Sequence, residues 1–112
     1  MFLIFLQIIT NEGNGYNIHT GVFTCPEAGM YLLMFNIGAR SVAVGTRLIV
    51  NSVNIVDAVV DIYHTDQDLT GGNSVLLRLK AGDSVWVDTA GGHVEGASGW
   101  RLTTFSGVFL YP

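Results

Sequence analysis

A chain of 112 residues with 49% apolar and 12% charged side chains can bury one core, is too short for two, and lies far from the disordered regime. Five Lys and Arg against nine Asp and Glu give a net charge of −4, so no basic stripe is available to follow a phosphate backbone and nucleic acid is not an expected partner. Fourteen glycines and few charges favour an all-β domain with frequent turns, and they leave apolar surface that other copies of the chain are expected to cover.

The opening MFLIFLQIIT has the apolarity of a signal peptide without a basic leader or an A-x-A-like cleavage site. LIFLQIIT is read instead as a β-branched, aromatic strand, with any export signal lying outside it. It ends at the Asn11 to Gly15 turn. NIHTGVFT alternates Ile18, Val22 and Phe23 with polar neighbours and slips near Gly21, which predicts a strand with a bulge. After Pro26-Glu27-Ala28-Gly29, MYLLMFNIGA is apolar on both faces, the pattern of a central strand buried between layers. Cys25 is the only cysteine, so it forms no internal disulfide and is expected to be a buried thiol.

TRLIVNSVNIVDAVVD predicts two strands meeting at Asn51-Ser52, and the polar YHTDQDLTGGN a loop. SVLLRL and SVWVDT flank the turn Lys80 to Asp83, with Val75, Leu77 and Leu79 facing one way and Leu76 and Arg78 the other. TAGGHVEGASG predicts a second glycine-rich loop, and WRLTTFSGVFLYP a closing strand. No charge run, linker or repeat divides residues 1–112, which read as a single domain. No apolar stretch is long enough to cross a bilayer as a helix, so membrane insertion is not expected. About eight short strands at this spacing predict a two-sheet sandwich or jelly roll.

Phe5, Asn11, Tyr16, Phe23, Gly29, Tyr31 and Phe35 fall at the spacing of the C1q-domain signature, with Leu33 where that family prefers Phe. The run from Gly82 to Val87 and the closing Thr104 to Tyr111 are similar to the family's later landmarks, so the resemblance spans essentially the whole chain. The wording ITNEGNGYN and TGGNSVLLRLKAGDSVWV most resembles the stand-alone C1q-domain proteins of bivalve molluscs. The resemblance implies a C1q/TNF-like jelly roll, with Phe5, Phe23, Tyr31 and Phe35 as bulky core residues. It also implies that the family's first strand, with its Ala-Phe-Ser-like motif, is lacking here, which would leave a neighbouring edge open. No Gly-X-Y repeat is present in these residues.

Function is expected from the resemblance and not from a catalytic motif. It implies a secreted homotrimer of innate immunity that acts in pattern recognition, a lectin-like binder of carbohydrate or microbial surface ligands. The alternative is a cytokine-like or assembly module whose trimer binds a protein partner. Some members of the family hold calcium near the trimer apex, and the corresponding loop here offers Asp66 and Asp68 as hard oxygen ligands. Two acids are too few for a full shell from one chain, and the same carboxylates suit Asx turns. In the second loop, Trp100 could form an aromatic plate for a sugar, with His93 and Glu95 as polar partners, or could be a core or interface aromatic. His64 adds a polar group to the first loop. Arg40 and Arg47 could bind an acidic group through a bidentate contact, or pair with Asp57 or Asp61. The histidines His19, His64 and His93 stand in no nucleophile elbow and no HExxH pair, so an enzyme is not expected.

Overall fold

The computed structural model describes residues 3–5, 9, 11–40, 43–61, 68–90 and 103–112, with the backbone alone at 40, 68 and 90. Eight strands run in chain order: β1 (Tyr16–Asn17), β2 (Val22–Thr24), β3 (Gly29–Arg40), β4 (Val44–Val50), β5 (Val53–Val60), β6 (Asp68–Leu79), β7 (Ser84–Ala90) and β8 (Thr104–Tyr111). They form two antiparallel sheets, a five-stranded one in the order β1-β2-β7-β4-β5 and a three-stranded one in the order β6-β3-β8. The fold is the all-β, two-sheet jelly roll that the turn spacing and alternation predict. Its sole helical element among the described residues is a short 3₁₀ turn at Glu12–Asn14.

Alternation decides what is buried. Along β3, Tyr31, Leu33, Phe35, Ile37 and Ala39 point into the sandwich, and from the facing sheet Val44, Leu48, Val85 and Val87 meet them. The expected division of the next hairpin holds. Leu79 is buried and Val75 and Leu77 pack against the core, whereas Leu76 stands outward, 60% exposed. Cys25 is buried as expected, its thiol directed at the Glu27 carbonyl 3.1 Å away. The Tyr31 hydroxyl donates to that same carbonyl at 2.6 Å.

Four of the signature aromatics, Phe5, Tyr16, Phe23 and Tyr31, form one chain of ring contacts with Phe105 and Phe109. Phe5 packs edge-on to Tyr16 and, tilted, to Phe105, and Phe23 bridges Phe105 to Tyr31 at centroid distances of 6.5 and 6.2 Å. Tyr31 in turn meets Phe109 edge-on. Asn11 fixes the entry to this cluster, its amide donating to the Tyr16 carbonyl while its oxygen accepts from the Tyr16 N–H. Gly29 has no alternative, because a Cβ there would run into the Phe109 ring and the Tyr111 carbonyl.

Four expectations are corrected. NIHTGVFT is not one bulged strand. The chain leaves β1 at Asn17, turns through residues 18–21 and re-enters as β2, with Asn17 Oδ1 accepting from the His19 N–H and Gly21 at φ +77°. The polar run before SVLLRL is not all loop, since Asp68 to Asn73 extend β6, their side chains being too small or polar to betray a strand. Nor is β3 buried on both faces: Met34 on its outward side is 41% exposed. Residues 3–5 adopt no strand, though the Leu3 N–H donates to the Val87 carbonyl alongside β7.

Candidate functional site

The register of the three-stranded sheet orders its outward face into rows. Leu32 on β3 lies between Leu76 and Val108, Met34 between Ser74 and Ser106, and Asn36 between Gly72 and Thr104. Beyond them Gly38 faces Thr70 and Arg40 faces Asp68. One end of the face is therefore apolar, with Leu76, Val108, Leu110 and Tyr111 all about half exposed, and beyond Met34 the rows turn polar, with the Arg40–Asp68 strand pair last. A continuous apolar area of this kind on a sheet face marks an interaction surface.

Where the apolar rows give way to polar ones the face is hollowed into a shallow groove of about 530 Å³, lined by Met34, Asn36, Asn73, Ser74, Thr104 and Ser106 among others. Gly72 lets β6 lie close against β3 beside this hollow, because any side chain there would strike the Phe35 carbonyl oxygen and the Asn36 amide. The Asn73 amide donates to the Asp57 carbonyl and thus ties this edge of β6 to β5. The Gly38 N–H donates to Thr103 Oγ1 at 3.0 Å, which anchors the start of β8. Sequence reading did not single out these groove residues. They lie on three strands far apart in the chain, and only the register brings them together.

The expected site residues are distributed as follows. His64, Asp66, His93, Glu95 and Trp100 lie outside the described residues, and Asp68 and Arg40 are described by backbone alone. Asp68 and Arg40 are direct cross-strand partners. The strand ends flanking the two loop segments, Val60 and Asp68 for one and Ala90 and Thr104 for the other, lie at the same end of the sandwich, since Val60 pairs with Val44, Ala90 with Gly45 and Thr104 with Asn36. That is the polar end of the open face.

Arg47 lies elsewhere, on the outward face of the five-stranded sheet. Its guanidinium stands 4.0 Å from the Asp88 carboxylate, and Asp57 is its partner across β5. An arginine with an acid on each neighbouring strand is already largely neutralised, at about half exposure worth little in stability. Among the described residues no three His, Cys, Asp or Glu side chains gather as a metal set. His19 is exposed in the turn before β2.

The opposite end is built of turns. Asp83 accepts from the Lys80 N–H at 2.8 Å and from the Asn51 amide at 3.0 Å, and these bonds hold its carboxyl below the usual carboxylate range, the Lys80 N–H most of all. Asn51, at φ +48°, also accepts from the Ser84 N–H, and the Cys25 N–H donates to the Asp83 carbonyl. Three turns are thereby locked together.

Comparison with known proteins places this architecture. The sequence profile of the C1q domain matches residues 1–110. The chain belongs to the C1q domain family. This C1q domain is 36% identical over 112 residues to complement C1q and tumor necrosis factor-related protein 9 of Mus musculus, covering 96% of the chain and 32% of that relative. It is 34% identical over 105 residues to Caprin-2 of Danio rerio, covering 91% of the chain and 11% of that protein. The chain thus spans a third or less of the curated relatives' length. Among solved structures, the globular domain of zebrafish complement 1qA protein superposes with a TM-score of 0.80 at 24% identity, over 98% of this chain and 84% of that one. The Eiger TNF of S. frugiperda superposes with a TM-score of 0.67 at 19% identity, over 85% and 67%. Both likenesses are of fold. C1q-type domains are binding modules that self-assemble as trimers, and C1q/TNF-related proteins are typically secreted. No helix among the described residues is long and apolar enough to cross a membrane.

Proposed function

We propose that this C1q domain is a secreted, homotrimeric pattern-recognition module of innate immunity that binds carbohydrate or other microbial surface ligands in a lectin-like way. The observation that carries the proposal is the open face of the β6-β3-β8 sheet, apolar at one end and polar toward the other. Leu32, Leu76, Val108 and Leu110 supply the apolar contact between copies. At the polar end, the segments bearing His64, Asp66, His93, Glu95 and Trp100 depart from neighbouring strand ends. Three copies around an axis would bring three sets of these side chains to one end of the assembly, the arrangement a multivalent surface binder needs. Arg40 belongs to that end as well, whereas Arg47, beside Asp88, would serve a separate contact on the outer sheet.

Calcium is proposed at Asp66 and Asp68 only as a site shared between copies, since one chain offers too few ligands and Asp68 is paired across the sheet with Arg40. The test is a glycan and microbial-polysaccharide array probed with the purified assembly in calcium and again in EDTA. Binding that free sugar competes away is expected, and loss in EDTA would assign calcium to the ligand contact. A blank array from a well-formed trimer would overturn the lectin reading and leave a protein partner as the target.

A further inference from the structure

We infer that the groove between Met34 and Asn36 is itself a binding site for an uncharged, hydroxyl-rich ligand, a sugar ring, and that a second copy of the chain supplies its missing wall. The inference rests on the trimeric, sugar-binding reading above and locates one such site on the face between copies, away from the loop segments.

The lining carries the chemistry. Asn36, Ser74, Thr104 and Ser106 contribute an amide and hydroxyls, groups that both donate and accept hydrogen bonds, as the hydroxyls of a sugar do, while the Asn73 amide is held by the Asp57 carbonyl and the Ser74 N–H at the groove's rim. Met34, 41% exposed on the floor, gives a polarisable apolar surface for the C–H side of the ring. Among the described residues no ionisable side chain lines the groove. Arg78, opposite Met30, stands toward one end of the face, and the backbones of Arg40 and Asp68 pair at the other. A phosphate, carboxylate or ammonium ligand would therefore find no counter-charge among the lining residues, whereas a neutral polyol can exchange its hydrogen bonds to water for bonds to these groups.

Shape sets the second half of the inference. The hollow of about 530 Å³ has the size of a small-ligand site but is open along one side, and a site so open buries too little of a ligand to hold it. The groove runs directly into the apolar rows formed by Leu76, Leu32 and Val108, which another copy is expected to cover. A copy seated there closes the open side and excludes water from the hydrogen bonds.

The experiment is a titration of the intact protein with galactose, mannose and N-acetylglucosamine, followed by saturation-transfer NMR, with sialic acid as the charged control. It is repeated on Thr104→Val combined with Ser106→Ala, a pair that removes two exposed hydroxyls with little change of volume. The native mass of each sample is measured alongside. The expected result is saturable binding of at least one neutral sugar, weakened about tenfold or more in the double variant at unchanged assembly mass, two lost hydrogen bonds being worth that much. A monomeric Leu76→Asp variant is expected to lose the binding, because its groove has no second wall. Full-strength sugar binding by the assembled double variant, or by the monomer, would overturn the inference. Absence of any neutral-sugar signal from an assembled wild-type protein would overturn it too, while sugar binding elsewhere, seen as array signal untouched by the double variant, would leave the broader lectin reading standing.

Discussion

Gly82 isolates the cost of a single backbone conformation. It sits at φ +91° in the Lys80–Asp83 turn, and a Cβ there would meet nothing within 4 Å. Gly82→Ala is therefore expected to lose about 1 kcal/mol from conformational strain alone, read as a lower denaturant midpoint at unchanged m-value. The neighbouring Asp83 gives the fold an acid-sensitive point. Its carboxyl titrates below its ordinary 3.8 because the folded turns hydrogen-bond the charged form. The stability it contributes is present above that ordinary value and is lost as pH falls through the lower, folded one. Thermal melts of Asp83→Ala should show a lower midpoint at pH 7 and a smaller further drop than wild type on acidification below pH 4.

At the scale of elements, β3 presents two faces with opposite duties. Leu33 is fully buried, and Leu33→Ala is expected to cost about 2–5 kcal/mol in chemical denaturation, since it leaves a cavity in a packed layer. Leu76, its neighbour's outward partner on β6, is 60% exposed, so Leu76→Asp should leave the protomer folded, with native-like circular dichroism, and act on assembly instead. The sequence makes this contrast half legible. Alternation in SVLLRL separates Leu76 from Leu77, because one face of that strand includes Arg78. MYLLMFNIGA gives no such cue, as an interface face and a core face are equally apolar, and the strand reads as buried on both sides. The aromatic signature was legible because Phe5, Tyr16, Phe23 and Tyr31 are large, regularly placed and close on one another in the fold. The closing run from Thr104 to Tyr111 was legible only as a landmark; that Phe105 joins these rings, and that Asn36, Ser74, Thr104 and Ser106 share one groove, was not. Their meaning comes from pairing between strands about 30 or more positions apart, which no local pattern encodes.

For the whole molecule, one face of the protomer leaves Leu76, Val108 and Leu110 exposed around a half-buried Leu32, a surface other copies are expected to cover, and its family assembles as trimers. The polar end of that face, the groove and the strand ends that carry the loop segments all lie on one side of the sandwich, while the three locked turns hold the other. Assembly through the apolar rows is thus the step on which the proposed multivalent binding and the proposed closed groove both depend. Sedimentation equilibrium of the wild-type chain and of Leu76→Asp tests it most directly. The account predicts a wild-type mass three times the 12.1 kDa protomer and a single-protomer mass for the folded variant. A wild-type protein that stays at the protomer mass as concentration rises, or a Leu76→Asp trimer indistinguishable from wild type, would contradict it.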